Sequence, residues 1–556
     1  MAVSSVSSTS TTSYTSQVSG FDSAALIEAA VNQKLQPADR LDTKITAEQA
    51  RLAAYQNLQS LLEELSTSLD ALRNKGGSEA DAFEGRSVYL SATGDKAASN
   101  VLGATVDSSA AIGSHQIEVA QIATAHKISS DDLTARDTAL GYAGTFTIAA
   151  GDNDAVAITV TDDMTLNDIA AAINDTTDSS GVSASILKVS DDDYVLVLSG
   201  TETGQTVSLA DQSGSVLTNL GILDGGGGIA NELQAAQDAI LTVDGVQVTR
   251  GGNEIDDLID GVDLYLYAAD AGNTVTLEVN QDLDGVKSAI QDFVTAYNAV
   301  RDFVVQQQTV STDGSADDGA VLFGDGLVRA LSSDLQTLLT SASTSDGLTL
   351  ASAGLSLDSD NKLSLDTDTL DSALLQNASG IASLFEFQAD VSSSDLQVLR
   401  NGSGDATQDF TIDIAVDSDG NISSASVGGD SSLFTVSGSR LIGAEGTAYE
   451  GMVLVFTGTQ STSIDVGITR GVAEQLSGAV DKYINDDTGT LDAAIDTSTS
   501  QITDMETKKS EIEQKADDYK TWLTDYYGKI EAKITRFSLL KDQLEALLNG
   551  NNDNND

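Results

Sequence analysis

Three separate segments of this chain place apolar residues at steps of three and four, which is the spacing of a coiled-coil seam. An apolar stripe on a helix must be covered by another element, so these segments constrain the fold more than any other feature. The seam positions are Tyr55, Leu58, Leu62, Leu65, Leu69 and Leu72; Val286, Ile290, Phe293, Tyr297, Val300 and Val304; and Ile512, Tyr519, Leu523, Tyr526, Ile530, Phe537, Leu540 and Leu544. We predict coiled-coil seams used for oligomerisation, with ordinary bundle helices as the alternative.

The N-terminal region is predicted to contain two helices. Asp22 is a suitable N-cap for a short amphipathic helix over residues 23–34. A longer helix is expected over residues 38–75, after Pro37 and before the Gly76-Gly77 pair that would end it. Pro37 is the only proline in the chain, which fits long helices and continuous sheets because both exclude proline.

The middle of the chain is predicted to be mostly β-strand. Short alternating runs lie between Gly, Asp and Asn turns, and one helix interrupts them after a capping box of Thr165 and Asp168. A further alternating stretch over 390–469 separates two helical segments and indicates an inserted domain. We therefore predict an elongated, multidomain α+β protein, with a coiled-coil leg formed by the N- and C-terminal segments and β-rich head domains between them.

The expected domain boundaries follow these changes of pattern. They are 1–37, a flexible N-terminal export and assembly segment; 38–76, the N-terminal coiled-coil helix of the leg; 77–110 with 231–280, a β head domain; 111–230, a second β head domain; 281–389, a helical leg domain; 390–469, the inserted β domain; and 470–556, the C-terminal coiled-coil helices and a polar tail.

Charge and composition exclude several classes of protein. The chain has 28 basic and 85 acidic residues, a net charge of −57, so it lacks the clustered Lys and Arg that bind nucleic acid or anionic membranes. It has no cysteine, which excludes disulfides, thiol catalysis and Cys-ligated zinc. No apolar run approaches the roughly 20 residues that span a bilayer. The Ser/Thr-rich N-terminus also lacks the pattern of a Sec-type signal.

No set of residues predicts an active site. His115 and His126 have no Cys or second His beside them and are interpreted as solvated or hydrogen-bonded surface residues. The tetraglycine at 225–228 lacks the Lys-Ser/Thr of a phosphate loop and is interpreted as a linker. The acidic run around Asp417 has a glycine where a calcium loop would not, and turn chemistry is the favoured interpretation. We therefore predict no enzymatic activity, no cofactor and no metal site, and leave calcium binding by the acidic loops open.

Four stretches, taken in order, carry a family resemblance. They are Ser19-Gly20-Phe21-Asp22 ahead of the Tyr55-centred seam; Thr165-Leu166-Asn167-Asp168-Ile169-Ala170 with Leu196-Val197-Leu198; Val243-Asp244-Gly245 and Ile259-Asp260-Gly261-Val262 with Phe293-Val294-Thr295-Ala296-Tyr297-Asn298; and Gly324-Asp325 with Lys362-Leu363-Ser364-Leu365-Asp366. Together they resemble the flagellar filament cap family, flagellar hook-associated protein 2, and the second resembles the flagellar hook IN motif. The chain departs from the family pattern at Phe21, where Leu is usual, and in the 390–469 insertion.

The resemblance implies a function and a location. Members of this family form an oligomeric cap at the distal tip of the flagellum, where exported flagellin folds and is inserted without covalent chemistry. The implied partners are further copies of the chain, flagellin, the hook–filament junction proteins and a cytoplasmic export chaperone. The implied route is the flagellar type III apparatus. The alternatives kept open are another exported flagellar axial protein or a surface adhesin, and, from a different class, an extracellular carbohydrate-active enzyme.

Overall fold

A computed structural model of the chain describes residues 22–73, 81–191, 193–311, 314–317, 319–344, 346–402 and 409–550. The Ser/Thr-rich leader, the Gly76-Gly77 helix stop and the end of the polar tail lie outside these residues. The helices are α1 (Ser23–Asp70), α2 (Leu166–Asn174), α3 (Thr177–Ser180), α4 (Val216–Asn219), α5 (Leu283–Gln308), α6 (Gly326–Ser341), α7 (Thr367–Phe385), α8 (Val472–Ile484) and α9 (Thr490–Gly550). No helix in the described part of the chain is long and apolar enough to cross a membrane.

The strands pair antiparallel throughout the described residues. They are β1 (Arg86–Ala92), β2 (Leu102–Val106), β3 (Gly113–Gln121), β4 (Ala125–Ser129), β5 (Gly144–Ala150), β6 (Val156–Val160), β7 (Val182–Lys188), β8 (Tyr194–Thr203), β9 (Val207–Ser213), β10 (Glu232–Gln234), β11 (Ala239–Val243), β12 (Val246–Arg250), β13 (Glu254–Ile259), β14 (Val262–Leu266), β15 (Val275–Gln281), β16 (Leu355–Leu357), β17 (Leu363–Leu365), β18 (Gln388–Val391), β19 (Leu396–Arg400), β20 (Asp409–Val416), β21 (Ile422–Val427), β22 (Phe434–Ser437), β23 (Arg440–Gly443), β24 (Val453–Phe456) and β25 (Thr462–Thr469). The predicted α+β class is confirmed.

The chain divides into two compact units, and the first comprises Ala80–Val286. One five-stranded sheet, in the order β1-β15-β3-β11-β12, shares a core with the sheet β13-β14-β2. Because β3 pairs with β11 and β15, this sheet crosses the boundary expected at residue 111. A second core in this unit joins the sheets β10-β4-β8-β7 and β6-β5-β9 to α2.

The capping box predicted at the start of α2 is confirmed. The Asp168 backbone N–H donates to the Thr165 hydroxyl at 3.2 Å, and the Thr165 N–H donates to the Asp168 carboxylate at 2.9 Å. The pKa of Asp168 is lowered, first by that backbone N–H and then by the hydroxyl of the same threonine. The reciprocal bonds satisfy donors that a helix start would leave free, so Ile169 and Ile173 face the core in a fixed register.

The second unit combines Met1–Glu79 with Lys287–Asp556, and α1 and α9 pack together along it. The prediction of two N-terminal helices is wrong, because α1 continues through Pro37. Asp22 caps this single helix by accepting from the Ala25 N–H at 3.0 Å, as predicted. Pro37 is exposed, so water can bond the carbonyl it leaves free, while buried Val31 and Ala38 on either side hold the helix in place.

An all-β domain lies in the second unit between α7 and α8. It contains two four-stranded sheets, β18-β25-β20-β21 and β19-β24-β23-β22, whose inner faces share one apolar core. Alternation along β20 sends Phe410, Ile412 and Ile414 inward and the residues between them outward. This β-sandwich enters and leaves through adjacent paired strands, β18 and β25.

Candidate assembly surface

The middle seam lies on α5 and is fully covered within the chain. All six of its positions are 0% exposed. The Phe293 ring meets Phe385 edge-on with centroids 6.4 Å apart, and the Tyr297 hydroxyl donates to the Asn361 carbonyl at 2.9 Å. Burial raises the pKa of Tyr297 to about 12, because its phenolate would lose contact with water. This seam is therefore part of the core and leaves no free surface.

The N-terminal seam lies on α1, apart from Leu72 in the turn that follows it, and is also covered. Its positions from Tyr55 to Leu72 are at most 4% exposed, and α1 packs on α8 and α9. The Tyr55 hydroxyl donates to Asp325 at 2.7 Å, and Asp325 also caps α6 by accepting from the Leu327 N–H at 2.8 Å. The pKa of Tyr55 is raised, first by burial and then by its hydrogen bond to this carboxylate. Tyr55 thus fastens α1 to the start of α6.

The helices α1 and α9 run antiparallel, as their side-chain contacts show. In order along α9, these contacts are Gln59–Asp492 at 2.8 Å, Asp42–Lys509 at 2.6 Å and Ser23–Glu531. Ser23 is the first residue of α1, whereas α9 continues to Gly550. Residues 532–550 of α9 therefore extend beyond the described start of α1.

The structure separates the C-terminal seam into a covered part and an uncovered part. Leu523 is 6% exposed, and Ile512, Tyr519 and Ile530 are half-buried. The remaining predicted positions are largely exposed in this chain, at 48% for Tyr526, 72% for Phe537, 52% for Leu540 and 59% for Leu544. The C-terminal seam, predicted as one continuous heptad pattern, is therefore covered within the chain only along its first part.

The geometry of an α-helix explains this separation. A strict seven-residue repeat drifts by about 20° per heptad around a straight helix. Between Ile512 and Leu544 the drift reaches about 90°. The stripe therefore rotates away from α1 as it approaches the C-terminus.

An aromatic ladder continues the exposed part of the seam and was missed by the heptad pattern. The Trp522 ring stacks between Tyr519 and Tyr526, with centroid distances of 5.8 Å and 5.4 Å. Trp522, the only tryptophan of the chain, is 54% exposed. Its spacing of three and four residues from the two tyrosines was the available signal. The uncovered stripe is hereafter the set Trp522, Tyr526, Phe537, Leu540, Leu544 and Leu547.

The two histidines have different environments, and the surface interpretation is wrong for His126. His115 is half-buried, and its Nδ1 lies 2.8 Å from Asp244, whose pKa is lowered first by the Gln116 N–H and then by this histidine. His126 is 1% exposed. Its Nδ1 accepts the Val207 N–H at 2.9 Å, so Nε2 carries the proton towards Glu232 at 3.1 Å. The hydrogen bond from Val207 to His126 joins β9 to β4 inside the core. Only the tertiary fold could reveal it.

Asp417 forms a turn, as its sequence context predicted. Its carboxylate accepts the backbone N–H groups of Asp419 and Asn421, both at 2.9 Å. These bonds favour the ionised form, and the pKa of Asp417 is lowered, first by Asn421. Among the described residues, no three His, Asp or Glu side chains are grouped so that they could hold a metal ion.

Three family profiles match this chain. Residues 236–538 match "Flagellar hook-associated protein 2 C-terminus", residues 19–126 match "Flagellar hook-associated protein 2 N-terminus", and residues 145–202 match "Flagellin hook IN motif". The first of these matches covers more than half of the chain.

Individual proteins give the same result. The B-type flagellar hook-associated protein 2 of Pseudomonas aeruginosa is 30% identical over 390 residues, covering 66% of this chain and 79% of that protein. The flagellar hook-associated protein 2 of Escherichia coli K12 is 32% identical over 387 residues, covering 66% and 78%. The crystal structure of the D1-D2-D3 domains of the flagellar cap protein FliD from Escherichia coli matches with a TM-score of 0.51 and 25% identity, covering 80% of this chain and 99% of that one.

Proposed function

This chain belongs to the flagellar hook-associated protein 2 family and is a flagellar cap protein, and we propose that its copies join along the uncovered stripe of α9. In this proposal the α1 and α9 helices serve as the leg, and the β-rich unit Ala80–Val286 serves as the head. The closed oligomer stands at the distal tip of the flagellum. It acts as an assembly factor without enzymatic chemistry.

The single observation that carries the proposal is the exposure of the uncovered stripe. Its side chains are between 48% and 72% exposed, and they lie on one side of α9 over about seven turns of helix. Exposed apolar side chains grouped on one side of a helix are typical of interaction sites. A second stripe of the same kind would cover it by knobs-into-holes packing, so a copy of this chain is a suitable partner.

Charge also favours this segment as the place of contact. A net charge of −57 makes copies of the chain repel each other. Residues 525–545 are locally neutral, because four basic residues balance four acidic ones: Lys529, Lys533, Arg536 and Lys541 against Asp525, Glu531, Asp542 and Glu545. Copies that meet along this part of α9 would avoid the repulsion of the acidic regions.

We further infer the partners and the route from the family. Flagellin would be the protein that folds beneath the cap, and the hook–filament junction proteins would be further partners. A cytoplasmic export chaperone would hold the chain before export through the flagellar type III apparatus.

Truncation in the source bacterium tests the proposed function. A chain ending at residue 534 removes Phe537, Leu540, Leu544 and Leu547 but keeps the contacts between α1 and α9. We expect no filaments and flagellin monomer in the medium, whereas a control chain ending at residue 550 should restore filaments. Normal filaments with the shorter chain would contradict the proposal. If the purified full chain forms open polymers in electron micrographs, the proposed closed oligomer would be wrong.

A further inference from the structure

The two outer faces of the inserted β-sandwich differ sharply in chemistry. One face, formed by the sheet β19-β24-β23-β22, is called the arginine face and is defined by Arg400, Arg440, Ile442, Val453 and Val455. The other, formed by the sheet β18-β25-β20-β21, is called the acidic face and is defined by Asp390, Asp409, Asp413, Asp465 and Gly467.

The arginine face combines an apolar centre with unopposed positive charge. Strand register places Arg440 opposite Val455 and Ile442 opposite Val453, all pointing away from the core. Arg400 is held by its Nε donating to the Gly451 carbonyl at 2.7 Å, and the exposed Arg440 makes no hydrogen bond or ion pair with any described residue. No outward position of this sheet carries a carboxylate, although the whole chain has 85 acidic residues.

The acidic face has a depression at its centre. Asp390 and Asp409 both pair in register with Gly467, from the strands on either side of it. Since Gly467 has no side chain, the surrounding residues form an open depression of about 410 Å³. Asp465 and Thr411 also line this depression. The Thr411 hydroxyl donates to Asp465 at 2.7 Å. No outward position of this sheet carries a basic side chain.

From these two faces we propose that the inserted domains of neighbouring copies pack head to tail, with the arginine face of one copy against the acidic face of the next. The charges are complementary, and Arg440 is a protruding side chain suited to the depression above Gly467. Contact between two different faces is heterologous, and such contacts close into a ring when the rotation between copies permits. The proposal rests on the proposed oligomer and names a second interface in it.

The area of these faces limits what the contact can do alone. The arginine face is the smaller one, and its four strands, about 4.8 Å apart with four or five residues each, give roughly 300 Å². Stable complexes bury about 800 Å² on each partner. The contact therefore strengthens and orients an oligomer that the α9 stripe holds together.

A charge exchange in the full chain tests the proposal. By mass photometry at fixed salt, Arg440→Glu and Asp409→Lys should each weaken association about tenfold, because each brings like charges together. The double variant should recover at least half of the loss, since the attraction is restored with reversed signs. As matched controls, Asp419→Lys in a turn of the same domain and Lys188→Glu in the other unit should change association less than twofold. Equal association of all variants would overturn the proposal.

Cross-linking distinguishes the head-to-tail contact from a two-fold one. The chain has no cysteine, so one preparation can carry Ser437→Cys at the edge of the arginine face and a tagged one Ser463→Cys on the acidic face. A short bis-maleimide should link the two preparations to each other and link neither to itself. Linking of Ser437→Cys to its own kind would overturn the head-to-tail arrangement.

The α9 interface and the contact between the inserted domains can be tested independently of each other. If a substitution in the α9 stripe disperses the oligomer while Arg440→Glu has no effect, the proposed function stands and this inference is wrong. If neither substitution changes association, the proposed function fails as well. The unfolding curves of Arg440→Glu and Asp409→Lys should match that of the unaltered chain, since the Arg440 and Asp409 side chains are both exposed.

Discussion

Two segments with the same heptad signature have opposite environments in this molecule. The seam on α5 is 0% exposed at all six positions, whereas the uncovered stripe on α9 is about half to three-quarters exposed. Both place apolar residues at steps of three and four on a helix. The difference teaches that heptad spacing specifies a surface to be covered but does not specify what covers it. The α5 seam serves folding, and the α9 stripe is the candidate for assembly.

The largest expected effect comes from one change made in both segments. Phe293→Ala on α5 should lower the free energy of unfolding by about 3 to 5 kcal/mol, because it leaves a cavity beside Phe385. Phe537→Ala on α9 should change it by less than about 0.5 kcal/mol, since that side chain is 72% exposed. Urea denaturation of monomeric protein at low concentration measures both. Similar losses for the two variants would mean that the C-terminal part of α9 is covered within the chain.

A charged substitution on α9 should act on association instead of folding. Leu540→Asp would bury an unpaired carboxylate in the proposed interface and should weaken association by about 100-fold, equivalent to about 2.7 kcal/mol. Leu539→Asp is the matched control, because Leu539 is 59% exposed but lies about 100° around the helix from Leu540. Sedimentation velocity measures the distribution of species. A comparable effect of the two variants would show that the stripe has no special role.

The smallest expected effect concerns alkaline pH and the α5 seam. The folded pKa of Tyr297, about 12, lies above its ordinary value of 10, so the unfolded chain loses this proton first as pH rises. The contribution of Tyr297 to the free energy of unfolding is fully present below pH 10. It should fall by about 2 kcal/mol as pH approaches 12. Tyr297→Phe should cost about 1 kcal/mol at neutral pH by losing the hydrogen bond to Asn361, and its decline above pH 10 should be shallower. If the free energy of unfolding falls equally above pH 10 in the unaltered chain and in Tyr297→Phe, then Tyr297 is more hydrated than its burial indicates.

Several local features could be predicted because they depend on neighbours in sequence. The caps at Asp22 and Thr165 form as expected, since each uses a side chain and a backbone N–H three residues away. The turn at Asp417 is equally local. The continuity of α1 through Pro37 could not be predicted in this way, because packing of Val31 and Ala38 outweighs the local preference to break.

Features that depend on distant segments were not predicted. The burial of His126 requires Val207 and Glu232, which are 81 and 106 positions away. The position of β3 between β11 and β15 likewise depends on strands from separate stretches of the chain. The contrast between the two faces of the inserted sandwich emerges only when β18 and β20 pair with β25, because that register gathers the carboxylates around Gly467.

The sequence by itself determined the α+β class, the helical ends, the β-rich middle and the family of this protein, because these follow from periodicity and local motifs. Only the tertiary structure decided which apolar stripes are covered. The reason is geometric: a seven-residue repeat drifts around the helix, and α1 begins opposite Glu531 while α9 continues beyond it. Coverage therefore depends on where a distant helix starts, and no pattern within α9 contains that information.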